Sequence, residues 1–378
     1  MIHILLLGSF APSLFNFRGP LIAAMVADGW RVTACAPGAE EGAAGEAIRR
    51  LGATPVSVPL ARTGMNPLSD LAFHKALVDL LGELKPDVLL AYTAKPVIWG
   101  TLAARAAGVP RVVAMITGVG YAFTPPARPS LKHAIAAVSA RLLYWLALSR
   151  VDHALFQNAD DRDLFARLGL APSADKVSLI SGSGVDLERF PPAPPPEGLS
   201  FLMMARLLGA KGVREYATAS RALKARYPNL DIRLAGGFDA GPDAISRDEL
   251  QTWINDGLSY LGELEDVRPA LANAAVYVLP SYREGTPRSV LEAMATGRPV
   301  ITTDAPGCRE TVTDDGNGFL VAPRDAHALE LAMERFILEP TLIRPMGEES
   351  LKFVRKKYDA RIVNEQILSV LRALDVTP

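Results

Sequence analysis

The stretch Pro280-Ser-Tyr-Arg-Glu-Gly-Thr-Pro-Arg-Ser-Val-Leu-Glu-Ala-Met-Ala-Thr-Gly297 decides how the second half of the chain folds. The apolar run before it, residues 275–279, predicts a buried parallel strand, and the stretch itself predicts a loop and then a helix. This order places two carboxylates, Glu284 and Glu292, near one crevice beside a helix N-terminus. The free N–H groups of a helix N-terminus attract anions. Because carboxylates can hold hydroxyl groups, an anion and a polyol at one site suggest a sugar nucleotide.

Short apolar runs alternate with longer helical patterns on both sides of this stretch. Such alternation is typical of doubly wound parallel sheets. Sheets of this kind bind ligands at loops beyond the carboxyl ends of their strands. The predicted strands are residues 2–7, 31–36, 54–58, 87–92, 111–116, 153–157, 176–180, 200–204, 230–235, 258–261, 275–279, 299–302 and 318–321.

The proline-rich run Arg189-Phe-Pro-Pro-Ala-Pro-Pro-Pro-Glu-Gly198 separates two sets of strands. Its prolines cannot continue a helix or a central strand, and they stiffen an extended connection. We therefore predict a first α/β domain at 1–188, a linker at 189–199 and a second α/β domain at 200–355. The last part, 356–378, predicts a C-terminal helix that folds back on the first domain.

Length and composition also limit the class of protein. The chain has 378 residues, of which 49% are hydrophobic, so it can bury two cores and is too apolar to be disordered. Its net charge of −1 gives no sign of a nucleic-acid partner. Cys35 and Cys308 fit no disulfide or metal-ligand spacing, which favours a reducing, cytoplasmic compartment. The N-terminus predicts a buried strand rather than a signal peptide, and no apolar run predicts a membrane span.

The window 88–151 contains no Asp or Glu, which favours an anionic partner. Within it, residues 131–150 predict a helix whose basic residues lie on different sides, a poor pattern for a simple surface-lying amphipathic helix. One interpretation is a buried helix between the domains. We favour contact of the 95–150 region with an anionic membrane surface, because Tyr144 and Trp145 suit a lipid interface and each surface cation gains about 1 kcal/mol there. The basic residues of the window are Lys95, Arg105, Arg111, Arg128, Lys132, Arg141 and Arg150.

A second loop motif, Arg206-Leu-Leu-Gly-Ala-Lys-Gly212, lies between the predicted strand 200–204 and a predicted helix. An Arg that clamps two oxygens, a Lys point charge and the N–H groups of a helix start suit a diphosphate. The plain alternative is a pair of surface cations in a loop. For the carboxylates, the plain alternatives are an acidic residue favoured at a helix start, for Glu284, and a solvated helix position, for Glu292.

Several motifs occur in the order that one known family shows. They are Arg206-x4-Lys211, Glu284-Gly-x6-Glu292-Ala-Met-Ala-x-Gly297-x-Pro299, and the shorter pieces Gly184-Val-Asp186, Tyr260-Leu-Gly262, Leu279-Pro-Ser281 and Gly316-Asn-Gly-Phe-Leu-Val321. Together they resemble family 4 of the retaining glycosyltransferases. The resemblance implies the GT-B fold, in which two Rossmann-like doubly wound domains face an interdomain cleft.

The resemblance also implies roles for residues of the second domain. Arg206 and Lys211 bind the diphosphate of a UDP-sugar donor, Glu292 holds the ribose hydroxyls, and Glu284 faces the transferred sugar. Gly262 and Leu264 lie near the uracil, and the amides of Gly285 and Thr286 assist the leaving diphosphate. The predicted catalytic residues are Glu284, Arg206 and Lys211. We expect no metal, because no metal-ligand cluster lies in a suitable loop, and no cofactor, since the UDP-sugar is a co-substrate. The family implies front-face attack by the acceptor hydroxyl.

Motifs in the first half narrow the resemblance. Asn16-Phe-Arg-Gly19, Lys95-Pro-x3-Gly100, Thr117-Gly-x-Gly-Tyr121 and Phe156-Gln-Asn158 resemble a subgroup that builds O-antigen, capsule and glycoprotein oligosaccharides on polyprenyl diphosphate. It includes bacterial α-1,3-N-acetylgalactosaminyltransferases. The resemblance implies transfer of an N-acetylhexosamine, with GalNAc favoured, to a lipid-linked saccharide at the inner face of the cell membrane. The predicted acceptor-binding residues are Asn16, Arg18, Gly19, Lys95, Thr117 and Gly118. Many family members carry a His where this chain has Thr117-Gly118, so we predict no catalytic His.

Two other functions stay open on the sequence. A non-hydrolysing UDP-sugar 2-epimerase shares the architecture but needs acid and base groups on both faces of the sugar, and no His here matches a motif. A non-catalytic sugar-nucleotide sensor would not need the intact set of two cations and two carboxylates. A glycosyltransferase is therefore the favoured prediction.

Overall fold

The computed structural model describes residues 1–60, 67–120, 123, 131–241 and 243–374, apart from the side chains of residues 67 and 131–133. The chain forms two compact units. The first contains Met1–Ser183 together with the segment from Ala360 onward, and the second contains Gly184–Asp359. Each unit is built on one parallel sheet, so the predicted pair of doubly wound α/β domains is confirmed.

The sheet of the first unit has seven strands in the order β3-β2-β1-β4-β5-β6-β7. The strands are β1 (His3–Leu7), β2 (Arg31–Ala36), β3 (Thr54–Ser57), β4 (Val88–Tyr92), β5 (Arg111–Ile116), β6 (His153–Phe156) and β7 (Val177–Leu179). Its first helices are α1 (Ala11–Asn16), α2 (Gly19–Ala27), α3 (Gly42–Arg50), α4 (Pro67–Leu84), α5 (Thr101–Ala106, directly after a π-helical turn at Pro96–Gly100), α6 (Leu131–Leu148) and α7 (Ala159–Arg167).

The second unit contains six strands in the order β10-β9-β8-β11-β12-β13. The strands are β8 (Ser200–Met204), β9 (Asp231–Ala235), β10 (Ser259–Tyr260), β11 (Val276–Leu279), β12 (Val300–Thr303) and β13 (Gly318–Val321). The helices that follow α7 are α8 (Val213–Arg226), α9 (Arg247–Asn255), α10 (Arg268–Ala272), α11 (Arg288–Ala295), α12 (Ala326–Leu338), α13 (Ile343–Lys357) and α14 (Ala360–Ala373). The last of these, α14, belongs to the first unit.

The first sheet is buried on both faces because its central strands are almost entirely apolar. β1 and β4 read HILLL and VLLAY, and all of these residues are buried. Continuous apolar runs are the pattern of parallel strands covered by helices on both sides. On one face Leu5 and Leu7 pack with α4, α5, α6 and α7. On the other face Ile4 and Leu6 pack with α1, α2, α3 and α14.

The predicted strands are all present, with ends that differ by no more than one residue from the predicted ends. The unit boundaries differ from the predicted domain boundaries. The chain changes unit after Ser183 and again after Asp359, so the proline-rich run lies within the second unit. Arg298, a fully buried side chain, holds this run to the second unit, since its Nη2 donates to the carbonyl oxygens of Ala193 and Pro194, each at 3.0 Å. Among the described residues, no helix is long and apolar enough to cross a membrane.

Candidate functional site

The second sheet has a topological switch point between β8 and β11. The chain passes from β8 through β9 and β10 on one side and then returns to β11 on the other side of β8. At such a point the loops after two neighbouring strands diverge and leave a crevice at the carboxyl ends. The loop after β8 contains Arg206 and Lys211, and the loop after β11 contains Glu284. Three of the predicted site residues therefore follow the two strands that border this crevice.

The two loops are joined by close backbone contacts. Gly212 has φ +75°, and a Cβ there would lie 2.1 Å from the carbonyl oxygen of Pro280. The carbonyl oxygen of Ala210 accepts a hydrogen bond from the amide of Tyr282 at 3.0 Å and another from the hydroxyl of Ser281 at 3.2 Å. Only glycine meets both demands at position 212, because the backbone is left-handed and the approach is too close for a side chain. The glycine of the Arg206 motif therefore fixes the spacing of the two loops.

Lys211 and Glu284 meet at this junction. Lys211 Nζ lies 2.5 Å from Glu284 Oε1, and the two side chains are 22% and 15% exposed. A charge-assisted hydrogen bond in such a shielded place holds both groups in position. The backbone of Glu284 is fixed separately, since its amide donates to the carbonyl of Pro306 at 2.9 Å. Gly307 has φ +79°, and a Cβ there would lie 2.2 Å from the carbonyl oxygen of Glu284. Glu284 thus lies on a braced loop, four residues before α11, and not at a helix start.

Glu292 lies within α11, whereas Glu284 precedes that helix. Its side chain is only 13% exposed and accepts a hydrogen bond from Arg288 Nε at 2.9 Å. Burial raises the pKa of Glu292, and the charge and hydrogen bond of Arg288 oppose that rise. The alternative of an ordinary solvated helix position is therefore wrong. Pro287 is the N-cap residue, and α11 begins at Arg288.

The other predicted donor residues follow three strands of the same sheet. Arg206 is about half exposed, and its Nη1 lies 2.5 Å from Oδ2 of Asp239, in the loop after β9. Gly262 and Leu264 follow β10, and the carbonyl of Gly262 accepts from the amide of Gly236 at 2.8 Å. Gly285 and Thr286 connect Glu284 to the start of α11. The carboxyl ends of β8, β10 and β11 thus carry the whole predicted donor set.

A side-chain hydrogen bond that the sequence did not predict stabilises the loop after β11. The hydroxyl of Tyr282 donates to Glu215 Oε1 at 2.6 Å, and the guanidinium of Arg324 lies 4.7 Å from the centre of the Tyr282 ring. Burial and the hydrogen bond to the Glu215 carboxylate raise the pKa of Tyr282. Glu215 belongs to α8, so this contact ties the helix after β8 to the loop after β11. No local sequence pattern predicts such a pair.

The first sheet has a comparable switch point between β1 and β4. The predicted acceptor residues follow neighbouring strands of this sheet: Asn16, Arg18 and Gly19 come after β1, Lys95 after β4, and Thr117 and Gly118 after β5. Because carboxyl ends of parallel strands share one edge, the fold places the chain segments that carry these residues at the same edge of the sheet. Tyr121, which belonged to the same motif, and Arg128 lie outside the described residues, as does the side chain of Lys132.

The individual environments of these residues differ. Lys95 Nζ lies 2.7 Å from Oδ1 of Asp70, and both side chains are mostly buried. Thr93 has a left-handed backbone with φ +70°, and its hydroxyl donates to Ser9 Oγ at 3.0 Å, which joins the loops after β4 and β1. Arg18 is buried, with its guanidinium 5.0 Å from the centre of the Tyr92 ring. Arg18 therefore packs beneath this edge and is not a surface cation.

The second unit also contains a cavity away from the β8/β11 crevice. A cavity of about 440 Å³ lies in the second unit between residues 188–193 and 266–272, and its walls include none of the predicted site residues. Within the described ranges, no group of three or more His, Cys, Asp and Glu side chains is arranged to hold a metal ion. The predicted site residues of the second unit therefore lie at the β8/β11 crevice and not at this cavity.

Comparison with known proteins gives the family. The model of the glycosyl transferase 4-like domain matches residues 19–183, and that of the glycosyl transferases group 1 matches residues 198–339. The N,N'-diacetylbacillosaminyl-diphospho-undecaprenol alpha-1,3-N-acetylgalactosaminyltransferase of Campylobacter jejuni is 27% identical over 377 residues, 95% of each chain. The UDP-Gal:alpha-D-GlcNAc-diphosphoundecaprenol alpha-1,3-galactosyltransferase of Escherichia coli is 28% identical over 321 residues, 81% of this chain and 78% of that protein.

Solved structures agree on the fold. Sucrose-phosphate synthase from Thermosynechococcus elongatus matches with a TM-score of 0.80 at 19% identity, over 99% of both chains. HepE of Anabaena, solved with UDP and glucose, matches with a TM-score of 0.77 at 18% identity, over 99% of this chain and 100% of that one. The fold is GT-B, and with the two matched domains it defines the class of protein as a glycosyltransferase. The chain therefore combines a glycosyl transferase 4-like domain with a glycosyl transferases group 1 domain.

Proposed function

We propose that this glycosyltransferase moves a sugar from a UDP-sugar to a saccharide carried on a polyprenyl diphosphate, with retention of the anomeric configuration. The observation that carries the proposal is the cluster beside the β8/β11 switch point. There the cations Arg206 and Lys211 follow β8 and the carboxylates Glu284 and Glu292 follow β11, with Lys211 and Glu284 in direct contact. A sugar nucleotide offers the diphosphate and the hydroxyl groups that such a cluster holds.

On the donor side, Lys211 and Arg206 take the diphosphate and stabilise its negative charge as it leaves, the task that a metal performs in other enzymes. In the structure each cation is paired with a carboxylate, Lys211 with Glu284 and Arg206 with Asp239. The donor diphosphate takes the place of these carboxylates beside the two cations. Glu284 is thereby released and accepts a hydrogen bond from a hydroxyl of the transferred sugar. Glu292 holds the ribose from its buried position in α11. Donor contacts are completed by Gly262, Leu264, Gly285 and Thr286.

In the proposed chemical step, the departing phosphate is both the leaving group and the base. The bond between the anomeric carbon and the phosphate oxygen breaks, and the acceptor hydroxyl attacks that carbon from the same face. Its proton passes to the departing phosphate oxygen, so the products are the lengthened saccharide and UDP. Lys211 and Arg206 serve this step by lowering the free energy of the separated diphosphate.

The acceptor is inferred from the first unit and from the relatives. Both curated relatives bear names that specify saccharides on diphosphoundecaprenol, and both names specify a sugar of the galacto series. We therefore propose a lipid-linked saccharide as acceptor and UDP-GalNAc as the favoured donor, with the enzyme bound peripherally to the inner face of the cell membrane. The proposed acceptor contacts are Asn16, Gly19, Lys95, Thr117 and Gly118, with Arg18 supporting them from below.

The test is a product assay with the full chain. The enzyme is mixed with UDP-GalNAc, UDP-GlcNAc, UDP-Gal or UDP-Glc, with and without a saccharide diphosphate on a short prenyl chain, and products are identified by NMR. We expect UDP release only when both substrates are present, together with a new α-linked sugar. An epimerised UDP-sugar in the acceptor-free sample would establish the epimerase instead. If the protein binds a donor but releases no UDP with any acceptor, it is a sugar-nucleotide sensor. A β-linked product would show that the anomeric configuration is not retained.

A further inference from the structure

One face of α6 exposes large apolar side chains. Ile135, Val138, Leu142 and Trp145 are 51–66% exposed in the full chain. Their spacing of three, four and three residues places them on one side of the helix. We call these four residues the α6 stripe. Exposed apolar side chains are common singly, but a contiguous row of four marks a surface that binds something apolar.

The opposite side of α6 is also apolar, since it is part of the core. Tyr144, Ala147 and Leu148 are buried in the core cluster of the first unit. The Tyr144 ring lies 5.1 Å from that of Phe165, measured between ring centres. A helix with one apolar face in the core and a second in water shows little amphipathic contrast in its sequence. This explains why the pattern of residues 131–150 looked unsuited to a surface helix.

The charges around the stripe are fewer than the sequence suggested. Lys95 pairs with Asp70, and Arg105 pairs with Asp152 at 2.6 Å. Arg111 Nε donates to the carbonyl oxygen of Leu374 at 2.8 Å. Arg141, on α6, and Arg150, just after it, are exposed. Arg150 Nη1 also donates to the carbonyl oxygen of Leu146 at 2.5 Å, a contact at the end of α6 itself.

The sign of the remaining charge selects the partner. α6 contains no Asp or Glu, so exposed cations border the stripe without carboxylates on the same helix. Apolar side chains flanked by arginines match a bilayer with anionic headgroups, where the apolar groups enter the acyl boundary and the cations meet phosphate. We propose that the α6 stripe is the surface by which this enzyme docks on an anionic membrane, with apolar insertion as the main source of affinity. This proposal rests on the proposed function, because a lipid-borne acceptor requires the enzyme to work at a membrane.

The experiment compares two double variants in vesicle cosedimentation. Val138→Asn with Trp145→Ser removes two members of the stripe seven residues apart. The matched control, Leu331→Asn with Leu338→Ser, changes two side chains of α12 that have the same spacing and are 48% and 67% exposed. Vesicles contain phosphatidylcholine alone or mixed with phosphatidylglycerol. We expect the stripe variant to bind mixed vesicles at least about tenfold more weakly than wild type, and the control to bind like wild type. Arg141→Gln should weaken binding about fivefold, and only where phosphatidylglycerol is present.

Each other outcome has a defined meaning. Equal vesicle binding by the stripe variant and wild type, or no binding by wild type, overturns the docking proposal. Wild-type dimers in sedimentation that the stripe variant dissociates, without vesicle binding, assign the stripe to a second copy and also overturn it. Turnover on the short-prenyl acceptor in solution separates this proposal from the proposed function. We expect the stripe variant to match wild type there, whereas absence of transfer by wild type would remove the function and leave the vesicle result standing.

Discussion

Lys211 Nζ and Glu284 Oε1 lie 2.5 Å apart, and the two residues belong to loops that follow the paired strands β8 and β11. Because both side chains are largely shielded from water, each charge depends on the other for compensation. In the proposed reaction the donor diphosphate takes over Lys211. Substitutions of the two residues should therefore have opposite effects on the binding of UDP.

Lys211→Ala removes a fixed cation from the leaving diphosphate. We expect turnover at saturating UDP-sugar to fall by about 10²–10³-fold, the usual cost of losing one preorganised group that stabilises developing charge. Steady-state rates measure this. Arg221→Ala, which removes an exposed cation from α8, is the matched control and should keep wild-type turnover. Turnover near the wild-type rate in Lys211→Ala would sink the diphosphate assignment.

Glu284→Gln removes the competitor for Lys211 while keeping the shape of the side chain. We expect UDP to bind several-fold more tightly, since Lys211 no longer gives up an ion pair, while turnover with the UDP-sugar falls because Glu284 no longer receives a sugar hydroxyl. Calorimetric titration with UDP and initial rates separate the two effects. Weaker UDP binding would show that Glu284 is not exchanged for the diphosphate.

Gly307→Ala tests whether the loop that carries Glu284 is braced from behind. The new methyl group would meet the carbonyl of Glu284, and the left-handed backbone alone costs about 1–2 kcal/mol. Gly169→Ala is the control, because Gly169 has φ +66° but no atom within 4 Å of the added carbon. We expect thermal destabilisation in both variants but loss of turnover only in Gly307→Ala. Equal turnover in the two would mean that the brace has no part in the site.

Glu292 predicts a pH effect on stability. Burial raises its pKa, so the folded protein holds this proton more tightly than the unfolded chain does. The stability that protonated Glu292 contributes to the folded protein is therefore fully present below the ordinary pKa of 4.5 and is lost as pH rises through the raised pKa. Glu292→Gln removes the titration and keeps an oxygen for Arg288. In urea unfolding upward from pH 4.5, wild type should lose stability relative to the variant. Parallel curves would contradict the burial of this carboxyl.

Asp70→Asn tests whether Lys95 of the first unit takes part in acceptor binding. The change leaves Lys95 without its ionic partner, so the ammonium is held less firmly at the edge where the acceptor is proposed to bind. We expect the KM for the acceptor to rise about threefold to tenfold with the KM for the UDP-sugar unchanged, as judged by initial rates on the short-prenyl acceptor. Asp79→Asn, at an exposed position on the same helix, should leave both constants unchanged. A rise in the donor constant alone would place Lys95 elsewhere in the reaction.

The strands could be predicted closely because parallel strands covered on both faces are unbroken apolar runs, as in β1 and β4. The residues proposed to bind the donor could be selected from the sequence because their spacing is local: Arg206 and Lys211 share a loop, and Glu284 and Glu292 flank a helix start. Their partners were not readable. Asp239 lies 33 residues from Arg206, Asp70 lies 25 from Lys95, and Glu215 lies 67 from Tyr282. Only the fold brings such pairs together, whereas the four-residue spacing of Arg288 and Glu292 could have been noticed.

The position of the proline-rich run and the surface of α6 were hard to predict for related reasons. Prolines mark where a chain is stiff, but the carbonyl contacts of Arg298 decide to which unit the stiff run is attached. Residues 131–150 were read for contrast between two faces, and contrast is low when the core and an exposed stripe are both apolar. A one-dimensional pattern records how apolar a face is and not what covers it.

The assignment of α14 to the first unit has a consequence for synthesis on the ribosome. Val363, Ile367, Leu368 and Leu371 complete a core whose other members come from the first 180 residues. The second unit, residues 184–359, has all its parts once Asp359 has left the exit tunnel, whereas the first unit must wait for α14. The nascent first unit therefore carries an uncovered apolar face during translation of the whole second unit. Chaperones that hold exposed apolar surface should bind that face in the interval, and translation that stops before residue 360 should release an aggregation-prone product.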